Sequence, residues 1–335
     1  MKAMRIRAPA SLDNIYVGTA EAAAPQRGEI KVRIRANSVN FRDCIVAAGH
    51  LPVADGRILL SDGAGEVVEV GDEVMDFKVG DAVVSTFHPA WLDGHAERSE
   101  LVSSPGGGAD GYACEFVTRP MACFTHAPKG LTHIESATLT CAGLTAWRAL
   151  ITDGHLKPGA SVLVQGSGGV SIFALQFAKA AGATVIATSS SAEKMERLKT
   201  LGADHVINHR EVNQWGAAVL SLTGGIGVDH VVEVGGPNTL AQSMMAARTG
   251  AHIAVIGAVA GFAVDAMPFA AIQAKRLRLQ GVTVGSRRDQ IDMVHAIEAT
   301  HIKPVIDRSF RLEELAEALR YQQSAHPFGK VCIDV

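Results

Sequence analysis

Six residues near the middle of the chain carry its clearest chemical signal. Gly166-Ser167-Gly168-Gly169-Val170-Ser171 follows a short apolar run, Ser161 to Gln165, and precedes an amphipathic stretch through Phe173, Leu175, Phe177 and Ala178. A strand, a glycine turn and a helix in that order can seat the pyrophosphate of a dinucleotide. The first glycine makes the tight turn and the second lets the backbone approach the phosphates, whose charge then rests on the helix N-terminus. The third position of the fingerprint holds Ser171, small where Gly or Ala is usual. An ordinary glycine-rich turn is the plainer alternative, and the strand before it and the helix after it weigh against that. Gly166, Ser167, Gly168, Gly169 and Val170 are therefore expected to touch a cofactor.

The next strand bears on which cofactor. Folds that take NAD usually carry Asp or Glu about 20 residues past the turn, holding the ribose 2′-hydroxyl. Here the strand ends Thr188-Ser189-Ser190-Ser191, and Lys194 follows. A carboxylate would repel a 2′-phosphate, whereas hydroxyls and an ammonium would accept one. His209 and Arg210, after the third strand, could add donors. The expectation is NADPH, with NADH as the alternative, and Ser189, Ser190, Lys194 and His209 as contacts. The competing reading makes Ser189 to Ser191 a helix N-cap and Lys194 a solvated lysine.

The elements that must position these groups come in two styles. From about Leu131 the chain is first helix-like, Ile134 to Ile151, and then alternates short apolar strands with helices. The strands are Ser161 to Gln165, Thr184 to Thr188, His205 to Asn208, Val228 to Val234 and Ile253 to Ile256, with helices Ala192 to Leu201 and Leu240 to Ala247. Such alternation indicates a parallel sheet covered on both faces. The earlier part is β-rich: Ile30 to Arg35 alternates with period two, and Ser103 to Gly108 reads as a loop. From about Arg287, helices Ile291 to Glu298 and Leu312 to Tyr321 lead to a closing strand, Val331 to Val335, which reads as a return to the first domain. The fold class is α/β, a Rossmann doubly wound parallel sheet over residues 129–285 plus a β-rich domain from residues 1–128 and 286–335.

Composition narrows the function classes. At 335 residues the chain is long enough for two domains, and 47% hydrophobic with 19% charged residues is a globular balance. Lys+Arg 31 against Asp+Glu 34 gives a net charge of −3, which argues against a basic nucleic-acid binder, and 5% aromatics argue against base-stacking platforms. The five cysteines are odd in number, widely spaced and without a CxxC pair. A disulfide framework is therefore not expected, and a reducing compartment fits. The first residues show no apolar signal-peptide core, and the most apolar stretch, Ile253 to Val264, is too short to span a bilayer. The expectation is a cytoplasmic protein with a small-molecule substrate and no nucleic-acid or membrane partner.

Several further motifs, taken together in order, resemble the medium-chain dehydrogenase/reductase superfamily, in particular its zinc-independent, quinone-oxidoreductase-like branch. They are Asn40-Phe41-Arg42-Asp43, Ser61-Asp62-Gly63-Ala64-Gly65-Glu66-Val67, Gly80-Asp81-Ala82-Val83, Cys141-Ala142-Gly143-Leu144-Thr145-Ala146, the glycine turn, and Leu201-Gly202-Ala203-Asp204. The resemblance covers almost the whole chain. It implies that the β-rich part is a GroES-like catalytic domain and that the protein is a homodimer or homotetramer. It also implies further contacts. Asn40 would lie beside the nicotinamide and hold cofactor ribose or substrate oxygen; Thr145, Gly235, Gly257, Val259, Val284, Gly285 and Lys330 would line the cofactor. Gly235 and Gly257 read equally as plain turns, and Thr145 as a helix residue bonding its own backbone.

Zinc-bearing relatives place three ligands at positions that match Asn40, Asp62 and Cys141 here. One thiolate and a displaced carboxylate do not make the usual site of three ligands with N/S donors, so no catalytic zinc is expected. The structural four-cysteine lobe would fall near Ser99 to Cys114 and has only Cys114, so no structural zinc is expected either. Asp62, Cys141 and a stray histidine such as His50 could improvise a site; the bland reading of Cys141 is a small buried residue. Without a metal, hydride transfer needs a willing acceptor, and quinones and α,β-unsaturated carbonyls are such acceptors. The resemblance thus implies an NAD(P)H-dependent oxidoreductase. The alternatives are an alcohol dehydrogenase or carbonyl reductase of the same superfamily, or a cofactor-binding protein with little turnover. Asn40, Asp43 and His50 are the candidate catalytic groups. Arg42 with Asp43 reads alternatively as a structural ion pair, and His50 as a surface histidine. Relatives often place a Tyr where Gly49-His50 stands, and no general acid is identified. A substrate pocket drawing on Phe87, Trp91, Phe262 and Phe269 would be apolar and partly aromatic.

Overall fold

The computed structural model describes residues 1–259, 261, 268–324 and 326–335. It divides into two compact units, Met1–Leu144 with Val284–Val335, and Thr145–Thr283. The division falls after residue 144 rather than 128. The helical stretch beginning at His133–Ala137 packs on the strands Glu29–Val39, Asp62–Val70 and Lys330–Asp334, so it belongs with the β-rich unit.

The spine of the β-rich unit is the strand Glu29–Val39. Ile30, Val32 and Ile34 point inward and are fully buried, with Lys31, Arg33 and Arg35 between them, as period-two alternation requires. Asp62–Val70 pairs with it antiparallel, Ser38 opposite Asp62. Lys330–Asp334 also pairs with it antiparallel, Val331 opposite Val39. Two segments far apart in sequence thus meet at one end of the spine, just before Asn40. Ala82–Ser85 and Phe124–His126 extend the sheet on one side and Ile306–Arg311 on the other. A smaller sheet joins Ile15–Thr19, Lys2–Ile6 and Arg57–Ile58. The core between them includes Tyr112, Phe124, Leu315, Leu319, Val331 and Ile333.

The second unit holds a six-stranded, wholly parallel sheet. Its order is His205–Asn208, Thr184–Ser189, Ser161–Gln165, Val228–Glu233, Ala247–Val255, Arg278–Gly281. Numbered along the chain this is 3-2-1-4-5-6, the doubly wound order, whose ligands bind beyond the carboxyl ends of the strands at the reversal. Helix Gly169–Ala180 covers the sheet with Ile172, Phe173, Leu175 and Phe177 buried. The strands expected from sequence are present within a few residues, apart from Ala247–Val255, which begins earlier. Helices Trp215–Leu222 and Phe269–Ala274 and the edge strand Arg278–Gly281 were not anticipated.

Candidate functional site

In the parallel-sheet unit the glycine turn stands at the carboxyl end of the first strand. Gly166 has φ +71°, a conformation that glycine alone adopts freely, and its N–H donates to Thr188 O at 2.9 Å. A Cβ built on Gly166 or Gly168 would meet no atom within 4 Å. These glycines therefore do not make room for the protein's own packing; they leave the backbone open to an approaching ligand. Gly168 is the N-cap of the helix and no side chain caps it, so the first-turn N–H groups remain available to an anion. Ser171 fits the third fingerprint position because its hydroxyl donates to Gln165 O at 2.6 Å, tying helix to strand. The turn fits a dinucleotide pyrophosphate.

Behind the turn lies a buried acid that the sequence reading missed. Glu233 ends the fourth strand and is fully buried. Its Oε1 accepts from Gly235 N and Gly236 N, both at 2.8 Å, and from Thr239 Oγ1 at 2.6 Å. Its Oε2 accepts from Gln165 Nε2 at 2.8 Å and from Ser243 Oγ. Five donors thus satisfy both oxygens of the buried carboxyl. The network locks the residue before Gly166 to the turn at Gly235 and Gly236. Its only sequence signal is an acid ending an apolar strand ahead of two glycines.

The remaining contacts expected on this unit are unevenly placed. Ser189 is 1% exposed and its Oγ has no partner, an orphaned polar atom at the end of the strand expected to meet the ribose. Ser191 is the helix N-cap, accepting from Lys194 N at 3.3 Å, so the capping alternative holds for Ser191. Ser190 and Lys194 are half-buried beside it. His209 donates its backbone N–H to Ser189 O; burial, and next the charge of Arg210, hold its ring below the usual histidine range. Gly235 and Gly257 have internal reasons to be glycine: a Cβ would come within 2.3 Å of Thr239 Oγ1 and 2.5 Å of Val234 O respectively. Val259 is exposed and Thr145 buried.

In the β-rich unit the paired strand ends gather a second cluster. Lys330, 3% exposed, donates from Nζ to Val39 O at 2.7 Å and to Asn40 Oδ1 at 2.6 Å. Asn40 Nδ2 donates to Ser61 Oγ at 3.2 Å, and Ser61 Oγ donates to Asp62 Oδ1 at 2.8 Å. Asp62 is fully buried and its Oδ2 has no partner. Burial pushes the Asp62 carboxyl up to about 7, against the pull of Lys330. Cys141 sits in a π-helical segment, Leu139–Gly143. Its neighbour Thr140 donates to Ser85 O at 2.9 Å, and Ser85 Oγ accepts from Gly63 N at 2.9 Å, which ties the segment to the strand that carries Asp62. Burial first, and then the charge of Asp62, pushes the Cys141 thiol up.

The two other candidate catalytic groups, Asp43 and His50, are placed differently. Asp43 has both oxygens committed: Oδ2 accepts from Asn40 N at 2.9 Å and Oδ1 from Arg42 Nη1 at 3.3 Å. It caps the helix Phe41–Ala47 and holds Asn40 in place, and it pairs with Arg42 as the structural reading expects. His50 is exposed beyond the end of that helix and makes no side-chain contact with the cluster among the described residues. Asp62, read from the sequence only as a displaced ligand position, is a fully buried carboxyl in the cluster whose Oδ2 has no partner.

Other expected positions are scattered. Val284 holds φ +55°, a strained conformation for a β-branched residue, beside Gly285, where a Cβ would press on Leu144 at 3.0 Å. Phe87 and Trp91 are buried, and Arg42 lies over the Phe87 ring at 5.4 Å. Phe269 is exposed, and Phe262 lies outside the described residues. Among the described residues no group of three or more His, Cys, Asp and Glu could hold a metal, and no helix is long and apolar enough to cross a membrane.

Comparison with known proteins agrees with both units. Residues 26–129 match the family model for the alcohol dehydrogenase GroES-like domain, and residues 169–299 that for zinc-binding dehydrogenases. A zinc-type alcohol dehydrogenase-like protein of Schizosaccharomyces pombe is 42% identical over 329 residues, 94% of this chain and 94% of its own length. The solved structure of a putative alcohol dehydrogenase from Sinorhizobium meliloti 1021 is 41% identical with TM-score 0.90, covering 100% of this chain and 99% of that one. A quinone oxidoreductase of Pseudomonas syringae pv. tomato DC3000 is 25% identical with TM-score 0.83, over 100% and 99% of the two chains.

Proposed function

The chain belongs to the medium-chain dehydrogenase/reductase superfamily of oxidoreductases, and on that premise we propose that it is a zinc-independent, NADPH-dependent reductase of quinones or α,β-unsaturated carbonyls. The observation that carries this reading is the ammonium of Lys330 seated on Asn40 Oδ1. Of the three positions where zinc-bearing relatives place ligands, one has its oxygen in the grip of a lysine, one is a buried aspartate, and only Cys141 offers sulfur. That donor set does not fit a catalytic zinc, which takes three N, S or O ligands free to coordinate it.

In this reading the turn Gly166 to Val170 holds the pyrophosphate, and Ser189, Ser190 and Lys194 meet the 2′-phosphate, with His209 beside them. NADPH, when bound, supplies the hydride. The chain's own groups do the rest. Asn40 and Lys330 offer hydrogen bonds to the acceptor oxygen on which negative charge develops, and a preorganised donor of this kind lowers the barrier by on the order of 3 kcal/mol. Asp62 holds a proton near neutral pH on a carboxyl whose Oδ1 is fixed by Ser61, and it takes the proton-donor role. Asp43 keeps Asn40 in register.

Cys141 favours a second reading, an alcohol dehydrogenase or carbonyl reductase that uses a metal. One experiment separates them: titration with NADPH and NADH, assays on quinones, enones and alcohols, and metal content on the same sample. NADPH-linked reduction of quinones or enones by metal-free protein is expected. Preference for NADH overturns the 2′-phosphate argument, stoichiometric zinc overturns the metal-free chemistry, and tight NADPH binding without turnover on any acceptor leaves a cofactor-binding protein. We further propose a cytoplasmic homodimer or homotetramer, measurable by fractionation and light scattering.

A further inference from the structure

Lys330 is a buried cation with unusual company. Two of its three N–H bonds go to neutral oxygens, Val39 O and Asn40 Oδ1, and it forms no ion pair at salt-bridge distance with any described residue. An ammonium taken out of water without a contacting anion is expensive to keep, and the position would be cheaper filled by an apolar side chain. Its charge nevertheless reaches each of the three positions at which zinc-bearing relatives coordinate metal. It touches Asn40 directly and acts through space on both Asp62 and Cys141. The register Val331 opposite Val39 fixes the start of its side chain beside Asn40, and its bonds to Val39 O and Asn40 Oδ1 hold the ammonium there.

We propose that the Lys330 ammonium is the resident cation of this cluster, standing where a divalent metal would otherwise bind through Asn40, Asp62 and Cys141, and that removing it opens the cluster to such a metal. The inference rests on the metal-free reading above and explains it. A single positive charge on a shared ligand oxygen repels a double one at close range. Asn40 Oδ1, the Asp62 carboxylate and the Cys141 thiol, which a metal would deprotonate, amount to three ligands once the lysine is gone, leaving the fourth position open as catalytic zinc sites do.

The probe is cobalt(II) added to metal-free full-length protein at mildly alkaline pH, followed by its visible bands and by the thiolate-to-cobalt charge-transfer band. Wild type should give neither. Lys330→Met should bind about one cobalt per chain, at least about a hundredfold more tightly than wild type, with the charge-transfer band. Adding Cys141→Ser to that variant should remove the band. Lys330→Arg, which keeps the charge, should stay silent. Lys330→Gln, which keeps a donor toward Asn40, is the second neutral variant should Lys330→Met fail to fold. A folded neutral variant that takes up no cobalt overturns the proposal and leaves the metal-free reading standing. Wild type that binds cobalt through Cys141 overturns both.

Discussion

Replacing Asp62 by Asn tests the energetic account of the cluster most directly. The substitution keeps the volume and keeps an oxygen for the Ser61 hydroxyl, which now donates to Asp62 Oδ1 at 2.8 Å; it removes only the titratable charge. Burial raises the Asp62 carboxyl from its ordinary 3.8 to about 7 in the folded chain. Between those values the folded protein keeps a proton that the unfolded chain has released. Stability contributed by this group therefore falls as pH rises through the window and levels off above about 7. Integrated from pH 5 to pH 8, the loss is about 3 kcal/mol, taking about 1.4 kcal/mol per pH unit of differential protonation. The Asn variant has no such slope, so relative to wild type it should gain about 3 kcal/mol between the two pH values. Urea unfolding of both proteins at pH 5 and pH 8 reads this difference, and groups common to both, such as Asp43 and Lys330, largely cancel. A stability difference that is the same at both pH values refutes the reasoning, because it would mean that Lys330 compensates Asp62 fully and the carboxyl is ionised throughout.

Gly168→Ala separates binding from folding. The added Cβ meets open space, so stability should change by no more than about 1 kcal/mol, the usual scale for an N-cap, while NADPH affinity measured by calorimetry falls more than about tenfold. Unchanged affinity would remove the turn from the cofactor site. Glu233→Ala leaves Gly236 N and Ser243 Oγ without their acceptor and takes one of two acceptors from Gly235 N and Gln165 Nε2, and should cost roughly 3 kcal/mol or more in denaturant unfolding. Lys194→Ala should weaken NADPH about tenfold and leave NADH unchanged, one charge-assisted contact being at stake; an equal effect on both cofactors would count against the 2′-phosphate assignment. Lys330→Met should lower kcat for quinone reduction about a hundredfold with little change in NADPH affinity, the scale of one preorganised donor.

What could be read beforehand followed the range of the interactions. The glycine turn was legible because strand, turn and helix are contiguous and each leaves its own periodicity. The doubly wound sheet was legible for the same reason, one strand and one helix at a time. Helix Trp215–Leu222 escaped because Ala217, Ala218, Val219 and Leu220 stand together and leave little polar face to set a 3.6-residue period. The unit boundary was placed too early because His133–Ala137 and the residues after it look helical whichever sheet they pack on; only the tertiary contact with Glu29–Val39 assigns them. Asn40, Asp62 and Lys330 were named only through resemblance, each for a separate reason, and nothing in their spacing says that they touch. The capping role of Asp43 was not legible, because a helix-capping carboxylate and a catalytic one look alike in a string of letters. Glu233 was overlooked because a single acid at a strand end is common, and its burial is visible only once Gly235, Gly236, Thr239 and Ser243 surround it.

The bond between Asn40 and Lys330 joins residues 290 positions apart. No shorter stretch of chain emerging during synthesis can contain both, so this bond cannot form until nearly all of the β-rich unit has come together. On the proposed function, a nascent chain with its parallel sheet already formed would grip cofactor and still be inert, because Lys330 has yet to arrive. The same wiring makes the register of Lys330–Asp334 a point of failure. A slip of one residue along the Glu29–Val39 spine would turn Lys330 to the opposite face of the sheet and leave Asn40 Oδ1 without its ammonium, in a protein that otherwise looks folded.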